Sequence, residues 1–268
     1  MNAREIIGQE GKYLVNTYTR PEVVFERGQG AHLYDLEGNG YLDFASGICV
    51  NALGHSDQEW VESVCAQLRK LVHVSNLYHT AQNAQLAAAL VEKSFAQRVY
   101  FSNSGAEANE AALKFAKKWA KVKHGDHKTK VVCFEGGFHG RTAGALSLTH
   151  KKNYRSPFEP LMPGVQFAPF NDIKAAKEAI DDETCAVFVE PVQGEGGVHP
   201  AREGFLRELK SICEKRSALL IFDEIQCGLG RTGTLWAHDA HAVTPHLMTL
   251  AKPLAGGLPI GATLMLQN

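Results

Sequence analysis

Residues 219–233 read LLIFDEIQCGLGRTG. Five apolar residues, Ala218 to Phe222, stop abruptly at Asp223 and Glu224. A run of that length suits a strand buried on both faces. An aspartate at the end of such a strand is costly to bury without a cationic partner. A protonated heteroaromatic nitrogen is one such partner. The same stretch contains a G-x-G-x-x-G pattern at Gly228, Gly230 and Gly233. A dinucleotide site needs that pattern directly between strand and helix, with an acid about 20 residues further on. Here DEIQC intervenes, and TLWAHDAH gives no helical period, so the pattern does not support a dinucleotide turn. No G-x-x-x-x-G-K-[ST] motif supports a P-loop either.

Outward from this stretch the chain alternates strands and helices. Strands are expected at RVYFSN, KVVCFEG, TCAVFVEP, ALLIFDE, LMTLAK and GATLML, with helices over 105–120, 172–180 and 203–216. Doubly buried strands alternating with helices predict a mostly parallel sheet covered by helices, an α/β fold. Ligands of such sheets bind beyond the carboxyl ends of the strands. Earlier in the chain, 57–71 and 81–95 carry helical periodicity. The first 50 residues read as short β-like runs alternating with turns, with PEVVFERGQGAHLYDLEGNGYLDF as three strands joined by glycine turns, a small β-rich lead-in. The expected organisation is an N-terminal segment over 1–55 and a large domain over 56–268.

Bulk composition excludes several classes. Net charge is −1 with a pI near 6.9, so nothing favours electrostatic capture of nucleic acid or a membrane surface. The longest apolar runs, such as SALLIF at 217–222, are strand-sized and too short to span a bilayer. MNAREIIGQEGKYLV lacks the apolar core of a signal peptide. Six cysteines stand singly without a C-x-x-C pair, which argues against zinc and for free thiols in a reducing compartment.

The polar residues ending the strands carry the chemistry. In FSNSGAEANE (101–110), Ser104 and Glu107 fit a capping box, which either merely starts a helix or leaves the N–H groups of Gly105 and Ala106 for a phosphate. In CFEGGFHGRT (133–142), Phe138 either stacks on a flat ring or packs in the core. His139 is either a base or a structural residue. Arg141 offers a fork that suits a carboxylate, or lies on the surface. In VFVEPVQGEGG (187–197), Glu190 and Glu195 either orient substrate or cap loops. Lys252 ends LMTLA, 29 residues after Asp223. An amine in a confined apolar site is a nucleophile suited to Schiff-base chemistry, and the alternative is a lysine that snorkels to solvent. A phosphate cup, a stacking ring, an acid for a pyridine nitrogen and a nucleophilic lysine together fit pyridoxal phosphate.

The chain resembles the class III aminotransferases of fold type I, of the ornithine and acetylornithine type. The likeness rests on YLDFASGICVNALGH, FSNSGAEANEAALKFA, FHGRTAGALSLT, VEPVQGEGG, FDEIQCGLGRTG and TLAKPLAGGLPIGA, in that order along the whole chain. It implies a mostly parallel seven-stranded sheet flanked by helices, with the N-terminal segment belonging to a small domain. It implies that Lys252 is the Schiff-base lysine and proton carrier, and that Asp223 holds the pyridine nitrogen. Gln226 lies near the ring's phenolic oxygen, Phe138 stacks on the ring, and Ser104, Gly105 and Ala106 hold the phosphate. Arg141 binds the substrate α-carboxylate, Tyr18 lines the substrate site, and Glu190 lies near the reacting centre. The reaction implied moves the δ-amino group between N-acetylornithine and 2-oxoglutarate in arginine biosynthesis; the alternatives are ornithine, 4-aminobutyrate or succinylornithine as donor, or a non-catalytic truncated product. The family works as a homodimer, without metal, in bacterial cytoplasm or in mitochondria or plastids. Its members run longer, so the resemblance also implies a C-terminal small domain beyond residue 268. That domain bears a second carboxylate-binding arginine and a threonine that reaches the partner subunit's phosphate.

Overall fold

The computed structural model describes residues 1–267 and divides into two compact units, residues 1–77 and a larger unit beginning at Tyr78. In the first unit, β1 (Phe25–Gln29), β2 (His32–Asp35) and β3 (Gly40–Leu42) form an antiparallel sheet, as the glycine turns predict. The β-rich reading fails before residue 25, where the chain forms helix α1 (Ala3–Tyr13). Asn2 accepts from the Glu5 N–H and Glu5 returns a bond to the Asn2 N–H, closing a capping box. No residue of α1 is buried, so the sequence carries no apolar stripe to announce it. One helical turn, α2 (Ser46–Cys49), and α3 (Gln58–Lys70) complete the unit.

The second unit begins with α4 (Ala81–Glu92), β4 (Arg98–Ser102), α5 (Gly105–His124), β5 (Lys130–Phe134), α6 (Ala143–Leu148) and α7 (Lys152–Arg155). It continues through β6 (Val165–Ala168), α8 (Ile173–Ala179), β7 (Thr184–Val189), the short pair β8 (Val192–Gln193) and β9 (His199–Pro200), and α9 (Phe205–Lys215). The strands β10 (Leu219–Asp223), β11 (Leu247–Leu250) and β12 (Gly261–Met265) follow. Seven of these strands form one sheet in the order β4-β12-β11-β10-β7-β5-β6. Only β12 runs against its neighbours. The strand not marked from the sequence is β6, a four-residue edge strand with one face open to solvent at Gln166.

Strand alternation feeds two cores. Val131 and Cys133 of β5 pack with Ala112, Leu113, Ala116 and Ala120 of α5. Val132 and Phe134, pointing the other way, pack with Ala176 of α8 and Leu206 and Leu209 of α9. The central strands of the sheet are therefore covered on both faces, which leaves their termini as the place for polar groups. The parallel strands β4, β5, β7, β10 and β11 finish at one edge. They deliver Ser104, Phe138, Glu190, Asp223 and Lys252 to that edge of the unit.

Candidate active site

Asp223 is the last residue of β10 and is almost fully buried. Its Oδ2 accepts from His139 Nδ1 at 2.8 Å and from Asn109 Nδ2 at 2.7 Å. Its Oδ1 accepts the Ile225 N–H at 3.1 Å. The cationic partner that the sequence demands is thus supplied partly by the protein. Burial pulls the His139 imidazole toward neutrality, but the hydrogen bond and charge of Asp223, with Glu190 nearby, outweigh it and raise its pKa above the usual histidine value. The buried His139 ring faces the Asp223 carboxylate.

Glu190 follows β7 and is also buried. Its Oε2 accepts the Phe138 N–H at 3.1 Å. Burial pushes its pKa up to about 7, with the negative charge of Asp223 adding to the rise and His139 opposing it. Phe138 is half-buried, its ring edge-on to Tyr154. Arg141 is exposed and lies 3.7 Å over the Tyr154 ring, without a carboxylate partner among the described residues.

The start of α5 is built as its sequence predicts, with one shift. Ser104 Oγ accepts the Glu107 N–H at 3.2 Å, and Glu107 reaches back to the N–H of Asn103 at 2.8 Å, one residue before the cap. A Cβ on Gly105 would lie 2.9 Å from Ile225 Cγ2 and 3.3 Å from Ala251 Cβ. Glycine therefore lets the helix N-terminus touch both the segment after Asp223 and the residue before Lys252. Ala106 lies against Gly140, which brings the loop after β5 to the same place. Gln226 folds onto Gly194, where any Cβ would overlap its Oε1.

Lys252 is half-buried at the end of β11, where the chain enters a 3-10 turn over Lys252–Ala255. Its φ is +21°, and no side chain among the described residues pairs with its amine. Tyr18 belongs to the first unit and is exposed. The segment 228–233 forms turns leading to a 3-10 turn at Ala237–His241, not a helix, so it lacks the geometry of a dinucleotide site. All six cysteines are free, four of them buried.

Sequence reading missed Asn109 and Thr249. Asn109 is fully buried on the face of α5 that carries Ala108, Ala112 and Ala116. An amide among alanines at that spacing is the signal that could have found it. A pyridoxal-type cofactor needs an acid for its ring nitrogen, a free amine and helix N–H groups for its phosphate. The structure holds all three at one sheet edge, so the residues fit the group.

The family model for Aminotransferase class-III matches residues 13–268. Acetylornithine aminotransferase, mitochondrial, of Alnus glutinosa is 54% identical over 99% of this chain and 60% of its own length. Succinylornithine transaminase of Salmonella newport is 48% identical over 96% of this chain and 63% of its own. Among solved structures, ornithine aminotransferase from Toxoplasma gondii superposes with a TM-score of 0.95 at 33% identity. That match covers 99% of this chain and 63% of the other. The chain thus spans about 60% of the length of the curated relatives it matches. On the family match, the shared fold and the strand-end residues together, the chain belongs to the class III aminotransferases.

Proposed function

We propose that this chain carries the pyridoxal-phosphate site of an aminotransferase that moves the δ-amino group between N-acetylornithine and 2-oxoglutarate in arginine biosynthesis. The observation that carries the reading is the convergence, at one sheet edge, of Lys252, whose amine has no partner among the described residues, a buried Asp223 and the N-terminus of α5. The family relation and the acetylornithine aminotransferase of Alnus glutinosa support the chemistry and the donor. The Toxoplasma gondii structure, whose title names PLP at the active site, supports the cofactor.

Bound pyridoxal phosphate supplies an electron-withdrawing ring that stabilises charge developing on the substrate carbon. The residues of the chain do the rest. Lys252 Nζ would hold the cofactor, and the same amine would take the proton from the substrate carbon as general base and return it as general acid. Asp223 would hold the ring nitrogen. Ser104, Gly105 and Ala106 would hold the phosphate at the N-terminus of α5, chiefly through helix N–H groups. Phe138 would cover the ring, Gln226 would stand near its phenolic oxygen, and Arg141 would fork onto the substrate carboxylate. Glu190, near neutrality by burial, orients groups at the reacting centre. The complete protein is a homodimer, in mitochondria or plastids of a eukaryote or the cytoplasm of a bacterium. Among the described residues no helix is long and apolar enough to cross a membrane.

The relative from Salmonella newport favours a second donor, N-succinylornithine. Cofactor binding is tested first. The chain is incubated with pyridoxal phosphate, reduced with borohydride and mapped by peptide mass. The cofactor mass is expected on the peptide bearing Lys252 and is absent in Lys252→Ala. Glutamate formation from 2-oxoglutarate with N-acetylornithine, N-succinylornithine, ornithine or 4-aminobutyrate then fixes the donor. No turnover with N-acetylornithine in the complete protein rejects the assignment.

A further inference from the structure

Asn109 sits one turn into α5, four residues past Gly105, with no exposed surface. Its Nδ2 donates to the His139 carbonyl at 2.7 Å and to Asp223 Oδ2 at 2.7 Å. Its Oδ1 accepts from Thr249 Oγ1 at 2.8 Å. A backbone carbonyl and a carboxylate only accept, so both amide protons are committed and the amide cannot be turned around. Thr249 lies on β11, three residues before Lys252, and is itself fully buried. One side chain therefore ties together α5 with its phosphate cup, the loop of Phe138 and His139, the end of β10 and the strand that leads to Lys252.

We propose that Asn109 is a positioning residue, holding the Asp223 carboxylate so that Oδ1, not Oδ2, is presented to the ring nitrogen of the cofactor. The proposal rests on the pyridoxal-phosphate reading of the site. Oδ2 takes two side-chain donors, from His139 at 2.8 Å and Asn109 at 2.7 Å. Oδ1 takes a single backbone donor at a longer 3.1 Å and keeps a lone pair free. Without Asn109, Oδ2 loses one of these bonds and the His139 carbonyl loses its donor, and the carboxylate, held by His139 and the Ile225 N–H alone, is less restrained about its last torsion. Rotation offers the wrong oxygen or tilts the pair away from the ring.

The test uses Asn109→Leu, close in volume, and Thr249→Val, which removes only the hydroxyl that orients the amide. In the wild-type chain, visible absorbance of bound pyridoxal phosphate gives an affinity and a pH midpoint. Asn109→Leu is expected to weaken affinity about tenfold, the size of leaving one buried acceptor unpaired, and to move the midpoint. Thr249→Val is expected to shift both in the same direction by less. In an Asp223→Asn background the two substitutions are expected to add little, because their effect runs through that carboxylate. A folded Asn109→Leu with wild-type affinity and midpoint overturns the proposal, as do effects undiminished in the Asp223→Asn background. Should Asn109→Leu not fold, an unchanged Thr249→Val overturns it. If the wild-type chain takes up no pyridoxal phosphate, the cofactor reading fails on its own. The His139 ring ¹⁵N resonances of the cofactor-free protein then decide the positioning: a shift in Thr249→Val and Asn109→Leu supports it, and identical spectra overturn it.

Discussion

Glu190 shows how burial sets chemistry at a single residue. Its pKa is raised from 4.5 to about 7 by desolvation first, with Asp223 adding to the rise. A carboxyl raised in this way is protonated in the folded chain and ionised in the unfolded one between those values. Its contribution to stability is full below about 4.5 and is lost as pH rises through about 7. His139, also raised, loses its contribution in the same direction. His246, pulled down to about 4 by burial, works the other way and adds stability as pH rises toward about 6.5, so the Glu190 effect is read as a difference: between pH 5 and pH 8, Glu190→Gln is expected to lose less stability than the unmodified protein by on the order of 3 kcal/mol, at about 1.4 kcal/mol per pH unit. Urea midpoints at four pH values would show it, and parallel curves for the two proteins would refute it. Gly194 makes a second case. A Cβ there overlaps Gln226 Oε1, so Gly194→Ala is expected to expel the glutamine from its place and alter the visible spectrum of the bound cofactor, with the fold retained.

Among the elements, α5 supplies Ser104, Gly105 and Ala106 at its start and Asn109 one turn further on. Its cap is a conventional one, and Ser104→Ala is expected to cost about 1 kcal/mol of stability, measured by urea denaturation. Gly105→Ala is different in kind. Its added methyl meets Ile225 at 2.9 Å, so the helix end must retreat from β10 and β11. Cofactor affinity should then fall more than stability does, and equal losses would mean that the close approach serves packing alone. Gly261 opens β12 against the turn before α5, where a Cβ would overlap the Ser104 carbonyl. Gly261→Ala is expected to destabilise by about 1–3 kcal/mol through overpacking. The strands themselves were legible as short apolar runs ended by polar residues. The exceptions have physical causes. The edge strand β6 is short and half-solvated, so it leaves no apolar run. The exposed helix α1 is announced only by its capping box.

On the scale of the whole molecule, cofactor binding and folding are linked. A ligand that binds only the folded chain stabilises it by about 2.7 kcal/mol at a hundredfold excess over its dissociation constant. Pyridoxal phosphate is thus expected to raise the melting temperature of the chain and not of Lys252→Ala, and equal shifts would point to binding elsewhere. Sedimentation tests the proposed homodimer in the complete protein.

Local chemistry was decided by the sequence alone. Apolar runs fixed the strands, Ser104 the helix start, and the polar residues after each run the candidate site, because each depends only on near neighbours in the chain. Strand order, the reversed direction of β12 and the partners of Asp223 came only from the tertiary structure. His139 stands 84 residues from Asp223, Asn109 stands 114 from it, and Thr249 stands 140 from Asn109. No local pattern links positions so far apart. They meet because the central strands of the sheet are covered on both faces, which leaves their ends as the place where buried polar groups from distant segments can find one another.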